Sequence, residues 1–134
     1  MKNFSLDRSM LTLGGQFYPT GHIVALFPDL SHAEAAARAL GQAGVAADGI
    51  QLITPDVMLR DVVRTVGNEG MPLPSAGTEA DTVRRFADYA SQGHHALLIP
   101  TPDGHDEEAV MRALRENGVS HAQKYRMLVI EDLA

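Results

Sequence analysis

Apolar residues occur in this chain in two patterns, short unbroken runs and stripes recurring every three or four positions, and their alternation predicts the fold. The clearest run lies between Gly93 and Pro100, where His94-His95 is followed by Ala96-Leu97-Leu98-Ile99. An unbroken run suits a strand covered on both faces, because a strand with one wet side alternates apolar with polar residues. A strand over 94–100 is therefore expected at the centre of a sheet, and Ile23-Val24-Ala25-Leu26-Phe27 predicts a second over 22–27. Further strands are expected over 50–54 and 121–130. In the last, Tyr125, Met127 and Val129 share one face, with Lys124, Arg126, Leu128 and Ile130 on the other, a mixture suited to an edge.

The stripes predict four helices. Over 31–43, Ser31 and Glu34 have the spacing of a capping box, Ala33, Ala36, Ala37 and Leu40 form a stripe of mostly small side chains, and Gly44 follows the end. A helix over 55–67 opens on Thr54-Pro55-Asp56 and carries Leu59, Val62, Val63 and Val66 on one face. After a loop punctuated by Gly and Pro, a helix over 78–92 carries Val83, Phe86, Ala87 and Ala90. The helix over 106–117 gathers Asp106, Glu107 and Glu108 into its first turn, where the helix dipole favours acids. Residues 1–21 have no period and are interrupted by Gly14-Gly15 and Pro19. They read as an N-terminal arm, apolar enough at Met10, Leu11, Leu13, Phe17 and Tyr18 to dock, ahead of one domain over 22–134.

Two strand-helix-strand units joined by two helices predict an α+β, ferredoxin-like sandwich, a four-stranded antiparallel sheet in the order 4-1-3-2. Helices on one face leave the other bare, whereas the two central strands read as covered on both. Either the helix over 55–67 crosses that face or a second subunit does, and a homodimer is expected. The alternative fold is a small doubly wound α/β sheet.

Composition narrows the partners. The 134 residues suit one domain with one core, and 17 acidic against 11 basic residues give a formal charge of −6, which repels nucleic acid. Cysteine is absent, which excludes disulfides and thiolate metal sites. No run approaches the roughly 18 apolar residues of a membrane span, so a cytoplasmic protein without membrane contact is expected.

Of the six histidines, His95 and His121 begin strands that flank the end of strand 22–27, near Asp29, and together predict a His-His-carboxylate metal site. The competing account is that these are half-exposed polar residues closing apolar runs. Arg60 and Arg64 on one helix and Arg84 and Arg85 on the next predict a clamp for a small anionic ligand, against the blander expectation that each pairs with Asp56, Asp61, Asp81 or Asp88. Neither Gly-x-Gly-x-x-Gly nor Gly-x-x-x-x-Gly-Lys occurs, Ser75 lacks the context of a nucleophile elbow, and no motif implies a cofactor.

The segment Tyr89-Ala90-Ser91-Gln92-Gly93, the apolar strand after it, and Ala113-Leu114-Arg115-Glu116-Asn117-Gly118-Val119 resemble the second half of the bacterial YflT-like general stress protein domain. The strand, Ala-rich helix and Gly44-Val45 of the first half are similar too, so the resemblance covers roughly residues 22–126. It implies a non-catalytic, stress-associated cytoplasmic protein and supplies no functional residues. The residues themselves leave three classes open: an accessory or regulatory homodimer, a small-ligand or metal sensor, and a dimeric ferredoxin-like enzyme using His95 or His121 as general base.

Overall fold

A computed structural model gives the fold and describes residues 1–6, 8–11, 17–63, 77–101, 106–126 and 130–133. At its centre β2 (His22–Phe27) and β4 (His95–Pro100) run antiparallel, paired from His22 opposite Pro100 to Phe27 opposite His95. β3 (Gln51–Ile53) pairs antiparallel with β4, and β5 (His121–Tyr125) antiparallel with β2. β1 (Lys2–Asn3) adds a parallel edge beside β3, and β6 (Ile130–Asp132) closes the other edge, giving the order β1-β3-β4-β2-β5-β6. The class is α+β with a mixed six-stranded sheet. Because β2, β3, β4 and β5 all pair antiparallel, the doubly wound parallel alternative does not hold.

Helices cover both faces. α1 (Leu30–Gln42) and α4 (Glu107–Glu116) lie on one, where Ile23, Ala25 and Phe27 of β2 meet Ala36 and Leu40 of α1 and Val110 and Leu114 of α4. The small side chains of Ala33 and Ala36 on α1 sit at zero exposure and let the helix approach the sheet closely. On the other face, Val24, Leu26, Ala96 and Leu98 meet Val83 and Phe86 of α3 (Gly77–Ser91) and Met58 and Val62, which follow α2 (Pro55–Val57) in a turn of π-helix. Phe4, Met10 and Phe17 complete this second core. The face for which a second subunit was invoked is thus filled by the chain itself, and it supplies no reason for a homodimer.

Several boundaries differ from expectation. Asp29, not Ser31, caps α1: its backbone is extended and its carboxylate accepts from the His32 amide at 2.9 Å. The expected strand over 121–130 is a hairpin, in which Tyr125 of β5 lies opposite Ile130 of β6. Thr54 stands at the predicted N-cap of α2, yet its hydroxyl donates to Asp56 at 2.7 Å rather than capping the helix. The latter part of the helix expected over 55–67, with Arg64 and Val66, lies outside the described residues. Residues 1–6 dock along the edge of the sheet, where Lys2 and Phe4 donate backbone hydrogen bonds to the carbonyls of Ile50 and Leu52.

Candidate functional site

The end of the sheet at which β2 stops and β4 and β5 start is rich in imidazole. Residues directly opposite one another across a β-pair share a face. His95 lies opposite Phe27, which belongs to the α1/α4 core, and His121 lies opposite Leu26, which belongs to the α3 core. The sheet therefore stands between His95 and His121, and the site expected from His95, His121 and Asp29 does not assemble. Among the described residues no group of three or more His, Cys, Asp or Glu is placed to hold a metal ion.

Asp29 instead pairs with His32, whose Nδ1 lies 2.7 Å from Asp29 Oδ1. Hydrogen bonds from the His32 ring and then the His32 amide hold the Asp29 carboxyl below its usual range, with a smaller electrostatic contribution from His95. The His32 ring lies against Gly118, where an added Cβ would stand 3.1 Å from His32 Cδ2. Sequence reasoning passed over His32, although Asp-x-x-His at a helix start is spaced for this contact. The arrangement is a carboxylate-imidazole helix cap, half-exposed on both partners.

A second polar group lies beneath α3. Alternation along β5 turns His121, Gln123 and Tyr125 toward that helix, and all three are buried. The Tyr89 ring of α3 stacks on His121 with centroids 5.7 Å apart and meets His94 at 4.8 Å on a tilt. His94 Nε2 is 3.0 Å from Ser120 Oγ, while His94 Nδ1 is buried without a hydrogen-bond partner among the described residues. Ser120 and His94 thus have the contact of a nucleophile and base, while among the described residues no carboxylate meets the far ring nitrogen as in a Ser-His-Asp arrangement. Farther along the layer, Gln123 Nε2 donates to Asp132 Oδ1 at 2.6 Å, and Gln123 Oε1 is buried with no donor among the described residues.

The described arginines of the expected anion clamp face carboxylates. Arg60 grips Asp61 through Nε at 3.0 Å and Nη2 at 3.1 Å, and Asp61 with Asp56 favours its charged form further. Arg84 donates to Asp81 at 2.7 Å on its own helix. Arg85 Nη1 stands 4.0 Å from Asp132 Oδ2, a partner on β6 rather than the helical neighbour Asp88. Arg64 lies outside the described residues. No described helix is long and apolar enough to cross a membrane. No family model, curated protein or solved structure matches this chain.

Proposed function

We propose that this chain is a non-catalytic accessory or regulatory domain of ferredoxin-like type that acts by binding rather than by turnover. The observation that carries this is the filling of both sheet faces by the chain's own side chains, with Val24, Leu26, Ala25 and Phe27 of one strand all at zero exposure. A sheet packed on both faces offers chemistry only at its ends and edges. There the described charged groups largely satisfy one another, as Asp29 does with His32 and Arg60 with Asp61. The side-by-side order β5-β2-β4-β3 with antiparallel pairing supports the ferredoxin-like assignment, with β1 and β6 as additions at the two edges. A bacterial, cytoplasmic, stress-associated setting follows from the resemblance to YflT-like domains.

The experiment is an assay of the protein and its His94→Gln and His95→Gln variants against chromogenic carboxylic and phosphoric esters. Rates indistinguishable from buffer for all three are expected. A rate above buffer that falls in either variant would overturn the reading in favour of a histidine-based enzyme. A second reading, a sensor of a small ligand, is favoured by one specific observation, the buried carbonyl of Gln123 that has no donor among the described residues.

A further inference from the structure

We propose that Ser120 is a covalent acceptor for a phosphoryl group delivered by an acyl phosphate, with His94 as the base that takes the proton of its hydroxyl. This goes beyond binding, and because it ends in one stable transfer per chain it adds no sustained turnover. Ser120 is exposed immediately before β5, and its Oγ stands 3.0 Å from Nε2 of the half-buried His94. Contacts between surface side chains are ordinarily loose, but here both partners are anchored. The Ser120 amide donates to the Leu26 carbonyl at 2.7 Å, and the Val119 amide before it donates to the Leu114 carbonyl at 3.1 Å. The His94 amide donates to the Tyr89 carbonyl at 3.0 Å, and its ring lies against the Tyr89 ring, which also stacks on His121. Hydroxyl and imidazole are thus brought together by their backbones, the arrangement that pre-organises a reacting pair.

What this pair has, and what it lacks, selects the class of donor. With the ring proton on Nδ1, Nε2 accepts the proton of Oγ and makes the oxygen a better nucleophile. The Ser120 amide is committed to Leu26, so the nucleophile's own N–H is not offered to the oxyanion of an attacked carbonyl. Phosphoryl transfer needs less of that help, because the phosphoryl oxygens carry their charge before the reaction. Oγ attacks phosphorus and the Oγ–P bond forms, the bond from phosphorus to the carboxylate oxygen breaks, the carboxylate leaves with the electron pair, and the proton passes to Nε2. The imidazolium so formed faces the new phosphate and offsets its charge. Hydrolysis of the product requires water to attack in line, opposite to Oγ. His94 stands beside Oγ itself, on the wrong side to activate that water. The formal charge of −6 is a weak obstacle to an anionic donor, since salt at about 0.1 M screens it within roughly 10 Å.

The test is incubation of the full-length protein with acetyl phosphate, followed by intact-mass spectrometry and peptide mapping. One phosphoryl group per chain, located on Ser120 and retained after the donor is removed, is expected. Ser120→Ala should abolish the adduct, and His94→Gln, with its fold checked by far-ultraviolet circular dichroism, should slow its formation about 100-fold or more, the lower range of general-base assistance. Should His94→Gln fail to fold, the wild-type chain unfolded in urea supplies the comparison, since Ser120 without its fixed partner should react at least 100-fold more slowly as well. No phosphoryl group on Ser120, acetyl in its place, or labelling of Ser120 as fast in the folded variant or the unfolded chain as in the native protein would overturn the proposal.

Discussion

Asp29 shows how one side chain can serve two donors. It accepts from the His32 amide and the His32 ring, and these bonds hold its carboxyl below the ordinary value of 3.8. A carboxylate with a depressed value in the folded state contributes stability that is fully present above 3.8 and is lost as pH falls through the lower folded value. The stability gap between the protein and its Asp29→Ala variant, measured by urea unfolding, should therefore narrow as pH is lowered from about 5 to about 3. A gap that stays constant over this interval would show that the cap does not depend on charge. Gly118 supplies the other side of this contact. Its φ of +77° disfavours any side chain, as does the φ of +98° at Gly44, but only at Gly118 would a Cβ press on the His32 ring. Gly118→Ala should cost about 1–2 kcal/mol from the backbone alone, and more than Gly44→Ala. In a His32→Ala background the excess cost at Gly118 should shrink, since the ring contact is then gone. The sequence displayed Ser31 and Glu34 as a capping box, but Asp29 two residues earlier takes both the amide and the imidazole of His32, and the helix starts there.

Elements whose signal is local were legible, and elements held by distant contacts were not. β2, β4 and α4 lie close to their expected positions because unbroken apolar runs and acid-rich first turns are local properties of the sequence. In the sequence, Arg126-Met127-Leu128-Val129 between β5 and β6 includes none of the Gly, Pro, Asn or Asp residues that favour turns, and its apolar and polar residues continue the alternation of a strand. Side-chain contacts secure the hairpin instead: Lys124 Nζ donates to the distant Glu107 of α4 at 2.6 Å, and within the hairpin Arg126 grips Glu131 through Nε at 2.7 Å and Nη2 at 2.6 Å. Glu107→Gln should cost about 0.5–1 kcal/mol, and the loss should shrink in high salt, because Lys124 keeps a neutral acceptor but loses its counter-charge. Where the apolar side chains of the N-terminal arm would dock was illegible for the same reason. Phe17 has no place in a local period, yet it is fully buried, with its ring edge-on to Phe4 at 6.2 Å and to Tyr125 at 6.0 Å. Phe17→Ala should cost about 3–5 kcal/mol in denaturant unfolding. A value below about 1 kcal/mol would show that the segment is only loosely attached. The candidate site was partly legible, in that Arg85 and the strand-start histidines were singled out. Gln123 and Asp132 were not, because only the hairpin brings them face to face.

At the scale of the whole molecule, the two apolar cores share one wall. Every second residue of β2 and β4 serves the α1/α4 side, and the residues between them serve the α3 side, so neither core keeps its shape without the other. The aromatic residues make this testable. The chain has three tyrosines and no tryptophan. Tyr125 lies within the α3 core, and Tyr18 and Tyr89 pack against it. The near-ultraviolet signal of tyrosine therefore reports the α3 side alone, while far-ultraviolet circular dichroism reports helices on both. Leu40→Ala removes a fully buried side chain from the opposite core, at a cost of about 2–5 kcal/mol. If the shared sheet couples the two cores into one cooperative unit, the tyrosine signal must be lost at the same lowered midpoint as the far-ultraviolet signal, although no tyrosine belongs to the core that was changed. A tyrosine transition that holds at the wild-type midpoint while the far-ultraviolet signal falls would mean that the α3 side melts as an independent unit. In that case the polar layer under α3, with Gln123 at its floor, could open or close without disturbing α1 and α4.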